Sequence, residues 1–348
     1  MKIGWRGALG FVLSVAFLVW TLSGVSFTDV WHVLRGSSLS LFLLSAAVAT
    51  IIFPLRALRW RVILEPVAMD ISFGALWRST AIGMMVNNVV PARAGELARA
   101  YAITKEDSRV NFAAAFASLA VDRIFDAVVV VFLLVIAMLA SNFPAGTTIG
   151  GQPINRAALL AGVVAVGALT ALITMAWSPK LVLSIWHAIV GRIAPRFEEK
   201  GRALLESFMS GLGALRSPGR FARVFAWGVV MWLCNALAFW IGFLAVGIDA
   251  PFTAGVVLMG IIAVGVALPS SPGFFGVFEF FAVEGLSLYG IPRDLAVSWA
   301  IGFHLLSFLP ITLIGLYYFG KLGMKFRELG QDAEAAPRPA ATTSAEVK

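Results

Sequence analysis

Residues 87–99 read Asn-Asn-Val-Val-Pro-Ala-Arg-Ala-Gly-Glu-Leu-Ala-Arg, and residues 269–279 read Pro-Ser-Ser-Pro-Gly-Phe-Phe-Gly-Val-Phe-Glu. Each interrupts a long apolar stretch, the first within 73–103 and the second within 255–290. In hydrocarbon every backbone N–H and C=O needs a partner. A helix is therefore broken only where the break packs inside protein or lines a cavity. Both stretches are expected to fold as helix–break–helix hairpins, and their breaks are the first places to look for a site.

The rest of the chain puts those breaks in a membrane. Of 348 residues, 59% are apolar and 13% charged, with a mean hydropathy of +0.88. An ordinary soluble domain is about 25% charged. Such a chain has too little polar surface to stay soluble. The single cysteine, Cys234, excludes an intrachain disulfide and a cysteine-rich metal site. A net charge of +8 fits membrane topology and anionic lipid surface rather than nucleic acid.

Six further segments are long and apolar enough to span: roughly 7–24, 39–58, 112–140, 157–177, 222–246 and 295–320. With the N-terminus in the cytoplasm, most basic loop residues fall inside, among them Arg56, Arg59, Arg61, Lys105, Lys180, Arg192, Arg220 and Lys321; only Arg35, Arg156 and Arg293 fall in the opposite loops. This bias survives only if each broken stretch enters and returns on one side. The predicted fold is all-α: a polytopic membrane protein of six full spans plus two re-entrant hairpins, one from each face. It reads as an inverted-topology repeat, with half-repeats of about 1–140 and 157–325 in one unit spanning 1–330. Residues 25–38 are read as a loop. Residues 178–220 are basic and aromatic, and are expected to form an interfacial cytoplasmic segment. The tail 331–348 is expected to be disordered.

Charges at membrane depth mark the chemistry, because each costs at least ~2.5–3.5 kcal/mol unless paired or wetted. Arg93, Glu96 and Arg99 follow the first break at spacings of three and share a helix face. Arginine's planar fork suits phosphate. Asp122, Arg123 and Asp126 lie about 15 Å into a span at 1.5 Å per residue. The two aspartates, at i and i+4, either take part in the site or only hold Arg93 or Arg99 in place. In the second break, Pro272 and Gly273 turn the chain, and a helix starting near Phe274 would aim its positive end at an anion. Glu279 sits on that helix. His304 stands 32 residues beyond Pro272 and reads as a mid-span structural histidine; Arg56, Arg59 and Arg61 read as inner-leaflet anchors, with Arg56 deep enough to join the site.

Arg56-Ala57-Leu58-Arg59-Trp60, the Asn88–Arg99 stretch, Asp122-Arg123 with Asp126, and Pro269-Ser270-Ser271-Pro272-Gly273 with Gly276 and Glu279 together resemble the lysylphosphatidylglycerol synthase transmembrane, or flippase-like, family over about residues 5–325. The resemblance implies a lipid flippase or lipid-handling protein. The aminoacyltransferase that follows this region in some family members has no counterpart in these residues, so aminoacyl-lipid synthesis is not expected.

The expected function is transport or binding of an anionic, phosphate-bearing lipid between inner-membrane leaflets. Arg93, Glu96, Arg99, Asp122, Arg123, Asp126, Pro272, Gly273 and Glu279 form its substrate site. No catalytic residue, metal or cofactor is expected, and the chain is read as a non-enzyme. It lacks a Walker A loop, an HExxH helix and a Gly-x-Ser-x-Gly elbow. The expected location is a bacterial inner membrane with both termini cytoplasmic. Two alternatives stand beside this: a membrane-embedded lipid-phosphate phosphatase or transferase using carboxylate-bound Mg²⁺, and an accessory subunit of a lipid or glycan biosynthesis enzyme.

Overall fold

A computed structural model describes residues 5–90, 94–140, 142–144, 148–149, 152–153, 163, 167, 170, 174, 177–195, 198–199, 201–202, 205, 217–268 and 270–325. Most of the expected span 157–177, the tail 331–348, and the tip residues Pro91, Arg93 and Pro269 lie outside the described residues. The described chain is all-helical apart from two paired dipeptides, Thr148–Ile149 and Gln152–Pro153.

Among the described residues, three helices are long and apolar enough to cross a bilayer: α3 (Leu39–Leu64), α8 (Pro218–Ala245) and α11 (Arg293–Lys321). At 1.5 Å per residue α3 is about 39 Å long. Ser38 opens it by accepting from the Leu41 N–H, and Pro218 begins α8 at a first-turn position where no N–H is required. α6 (Phe112–Met138) is equally long, capped by Asn111, and apolar except at Asp122, Arg123 and Asp126. α3 lies along α8, where Ser45 Oγ donates to the Ala238 carbonyl at 2.6 Å and Gly242 lets Trp299 approach.

Both broken stretches are hairpins. α4 (Phe73–Val89) and α5 (Gly95–Glu106) pack face to face through Gly83 and Gly95. A Cβ on Gly83 would stand 2.8 Å from both the Gly95 carbonyl oxygen and Arg99 Cβ. The base of this hairpin is closed by Arg78, which donates twice to Glu106 at 2.6 Å. Its tip is closed by Asn87, whose Oδ1 accepts the Gly95 N–H at 2.8 Å and caps α5. The second hairpin comprises α9 (Phe252–Gly265), a short 3₁₀ turn (Pro272–Phe274) and α10 (Val277–Ser287). Gly265 faces the Phe281 ring and Gly285 faces Leu258, so these helices are antiparallel and close. The 3₁₀ turn packs on α4, bringing the two hairpins together.

Residues 25–38 are not a loop. α1 (Trp5–Leu22) ends at a turn containing Gly24 at φ 77°, and α2 (Phe27–Gly36) leaves at 82°. Ser26 caps α2, Asp29 lies in its first turn and Arg35 in its last, each placed favourably for the helix dipole. In the expected interfacial segment, α7 (Pro179–Ile193) buries none of its residues. Trp177, Leu181, Ile185, Ile189 and Ile193 recur every four residues and are all exposed.

Candidate functional site

Two polar clusters occupy the helical bundle. The larger joins α3, α5 and α6. Its centre is Asp122, fully enclosed on α6. Arg59 Nε donates to Asp122 Oδ1 at 2.8 Å, and Arg59 NH2 bonds both that oxygen and the Asp122 carbonyl. Arg99 NH1 reaches Asp122 Oδ2 at 3.3 Å from α5. One turn further along α6, Asp126 takes Arg56 NH1 at 2.8 Å, pairs with Arg59 NH2 at 2.8 Å, and accepts from Trp232 Nε1 on α8 at 3.0 Å. The i,i+4 spacing puts both carboxylates on one face, where the i,i+3 arginines of α3 meet them.

The outer edge is wetter. Arg123 has a side chain 41% exposed and stands 3.2 Å from both Asp126 and Glu96. Glu96 also receives Asn87 Nδ2 at 3.4 Å. The Arg99 guanidinium lies over Trp60, 4.1 Å from the ring centroid, and Trp60 is held by its own donation to Ser118 Oγ at 2.8 Å.

The charges do not balance. Four arginines, Arg56, Arg59, Arg99 and Arg123, face three carboxylates, Asp122, Asp126 and Glu96. Among the described residues, one positive charge is in excess. Among the described residues, Arg56 Nε, Arg59 NH1, and Arg99 Nε and NH2 are buried with no hydrogen-bond acceptor. Buried donors of this kind are rare and costly. The arrangement suits an anion with several acceptor oxygens. It suits a divalent cation poorly, since both aspartates are already committed to guanidinium groups.

The sequence-expected residues Glu96, Arg99, Asp122, Arg123 and Asp126 thus come together, while Arg93 lies outside the described residues. Arg59 needs correcting as an anchor, and Arg56 follows the alternative its depth suggested: both are buried in the cluster, and of the three only Arg61 is exposed. Their three-residue spacing late in an apolar helix, matching the Asp122/Asp126 pair, was the available signal.

Pro272, Gly273 and Glu279 belong to the second cluster. Among the described residues, Glu279 pairs with no arginine. Its Oε2 accepts the Gly276 N–H at 2.6 Å, and its Oε1 meets His304 Nδ1 at 2.6 Å. His304 Nε2 meets the Gly273 carbonyl at 2.9 Å. Gly276 caps α10 at φ 85°, against the Ser14 carbonyl of α1, where no side chain fits.

On the outer side of α3, away from Arg56, lies an apolar groove of about 610 Å³. Ala47, Thr50 and Pro54 of α3, Trp77 of α4, and Leu309 and Pro310 of α11 line it. Both in-helix prolines of α3 and α11 therefore face one space.

The conjunction of two broken hairpins with an arginine–aspartate centre extends over nearly the whole chain. The family model of the lysylphosphatidylglycerol synthase TM region matches residues 7–315. The chain belongs to that family. Within it, a UPF0104 membrane protein of Methanothermobacter thermautotrophicus is 28% identical over 330 residues, covering 89% of this chain and 92% of the relative. A UPF0104 membrane protein of Pyrococcus horikoshii is 25% identical over 283 residues, 78% of this chain and 83% of the relative. A glycosyltransferase, AglD, of Haloferax volcanii is 27% identical over 332 residues, 88% of this chain. The chain spans about half, 52%, of that relative's length. The name of this last relative overturns the expectation of a non-enzyme. A relative similar over 88% of this chain carries the name of a catalyst, and the lack of a Walker, zincin or elbow motif says nothing about glycosyl transfer. As a family member the protein is an integral membrane protein.

Proposed function

We propose that this protein binds the phosphate-bearing headgroup of a membrane lipid at Arg56, Arg59, Arg99 and Arg123 and moves that lipid between the leaflets of a bacterial inner membrane, with both termini cytoplasmic. The observation that carries this reading is the surplus of buried guanidinium N–H groups facing too few carboxylates. A phosphate supplies the missing acceptors and the missing negative charge, and arginine takes it through two parallel bonds. The groove between α3 and α11 seats the lipid's hydrocarbon chain, leaving the head on the opposite face of α3. Arg123, the most exposed of the four, meets the headgroup first. The exposed apolar stripe of α7, with Lys180 and Arg192, rests on the anionic inner leaflet and offers a lipid-synthesis enzyme a place to dock.

A second reading is favoured by the glycosyltransferase name of one relative. There the same arginines hold a lipid phosphate while a sugar is transferred to or from it. One reconstitution separates the two. Purified protein in liposomes is given fluorescent anionic and zwitterionic lipids, and separately a polyprenyl phosphate with a sugar nucleotide. Translocation of the anionic lipid above that in empty liposomes, lost on Arg99→Gln, supports transport. Sugar incorporation without translocation supports the transferase reading. Neither activity from folded protein, with no binding of any phospholipid, sinks both.

A further inference from the structure

The second cluster contains a proton that its geometry requires. The Gly273 carbonyl is an acceptor only, so His304 Nε2 must carry a hydrogen to bond it at 2.9 Å. The contact of Nδ1 with Glu279 Oε1 at 2.6 Å needs a second hydrogen, on the imidazole or on the carboxyl. Either way the pair holds two protons and is neutral overall. The rings of Phe275 and Phe278 stand 4.5 and 4.4 Å from the imidazole and keep it dry. Removing one proton to water leaves a net negative charge in an apolar site and forces a lone pair against an oxygen. If Nε2 keeps its hydrogen, Nδ1 faces the carboxylate bare. If Nδ1 keeps it, the bond to Gly273 is lost.

What this pair holds is a strained turn. Gly273 has φ 68°, Phe274 φ 63° and Gly276 φ 85°. For a bulky residue such as Phe274, left-handed backbone costs of the order of 1–3 kcal/mol and persists only where its surroundings impose it. His304 grips Gly273 on one side of Phe274, and Glu279 grips the Gly276 N–H on the other.

We infer that Glu279 and His304 form a proton-binding latch that closes the tip of the second hairpin while doubly protonated and releases it on losing one proton. Among the described residues, no other ionisable side chain bonds to the pair. α9 and the stretches of α1 (9–22) and α3 (39–55) beside it carry no ionisable residue. Arg78 of α4 is bonded to Glu106; on α8, Arg220 and Arg223 are bonded to Glu65, and Cys234 donates to the Val48 carbonyl. Asp29, His32 and Arg35 of α2 are exposed. Glu284 stands beside Arg293, and Asp294, Tyr317, Tyr318 and Lys321 lie near the two ends of α11. Because the closed tip binds one more proton than the open one, high pH favours opening.

The test needs no ligand. In full-length protein in liposomes carrying Cys234→Ser, a cysteine replaces Ser270, and its rate of reaction with a maleimide is followed against pH. Division by the rate of Ser184→Cys protein removes the thiol's own titration. The expected ratio rises at least tenfold from acidic to alkaline pH, and is flat in both Glu279→Gln and His304→Gln. A flat ratio in the parent overturns the latch, as does a profile unchanged in the variants. Should the variants not fold, ¹⁵N spectra of the His32→Gln/His187→Gln protein, whose remaining histidine is His304, decide alone. Nε2 protonated at neutral pH, together with a proton on Nδ1 or on the Glu279 carboxyl, supports the latch. Nε2 unprotonated, or both Nδ1 and the Glu279 carboxyl unprotonated, overturns it.

Discussion

Arg59 and Asp122 are both completely enclosed, and the guanidinium reaches the carboxylate through Nε and NH2 together. The pair ties α3 to α6 at the centre of the bundle. Removing one charge leaves the other stranded, and breaking a buried pair costs about 3–5 kcal/mol. Asp122→Asn leaves Arg59 with Asp126 as its remaining counter-charge and weakens the hold on Arg56 and Arg99. Its expected outcome is a large fall in thermal unfolding temperature and in yield of monodisperse protein. A variant as stable as the parent shows that the ion pair is not structural.

Arg123 is the contrasting case. Its side chain is 41% exposed while its Nε and NH2 are enclosed, and at this half-open edge its pairs contribute less than the fully buried Arg59–Asp122 pair. Arg123→Gln is expected to leave the unfolding temperature within a degree or two while reducing anionic-lipid binding several-fold at low salt. Binding isotherms on vesicles with and without an anionic lipid check this. Unchanged affinity removes Arg123 from the headgroup site.

The two arginines differ in how readable they were. Proline and glycine at 91, 95, 272 and 273 announced both hairpins, because proline and glycine close together stop a helix where a lone residue such as Pro54 or Pro310 does not. Asp122 and Asp126 announced a buried face, because carboxylates in so apolar a run have no other place. Arg56 and Arg59 carried a weaker mark, their depth and three-residue spacing. At the end of an apolar helix, an arginine snorkelling to the surface and one turned inward look alike in one dimension. Only the packing of α3 against α6 separates them. The bond between Glu279 and His304 was hidden for a related reason: the residues belong to different helices, and their meeting depends on the turn at Gly276.

The first hairpin rests on two small residues and one amide. Gly83→Ala drives a methyl to 2.8 Å from Arg99 Cβ and from the Gly95 carbonyl oxygen. Overpacking of this kind costs about 1–3 kcal/mol. Asn87→Ala removes the acceptor of the Gly95 N–H, and loss of a cap costs about 1 kcal/mol. Unfolding midpoints in mild denaturant should order as parent, Asn87→Ala, Gly83→Ala; Asn87→Asp keeps the acceptor for Gly95 but sets a carboxylate against Glu96, and also falls below the parent. The reverse order separates the hairpin's stability from its tip.

The groove between α3 and α11 is a cavity that the fold leaves unfilled, which makes it testable by filling. Ala47 lines it from α3. Ala47→Phe occupies part of about 610 Å³ of apolar space and touches none of the arginine cluster on the other side of the helix. Ala47 is exposed at the mouth of this open groove, so a ring there should change stability by no more than about 0.5 kcal/mol. If a hydrocarbon chain occupies the groove during function, the substitution lowers lipid translocation or transfer several-fold while headgroup binding to short-chain lipid analogues stays intact. Equal activity with long-chain lipid, in protein shown to be folded, places the chain elsewhere on the bundle and leaves the groove as a consequence of Pro54 and Pro310 bending their helices apart.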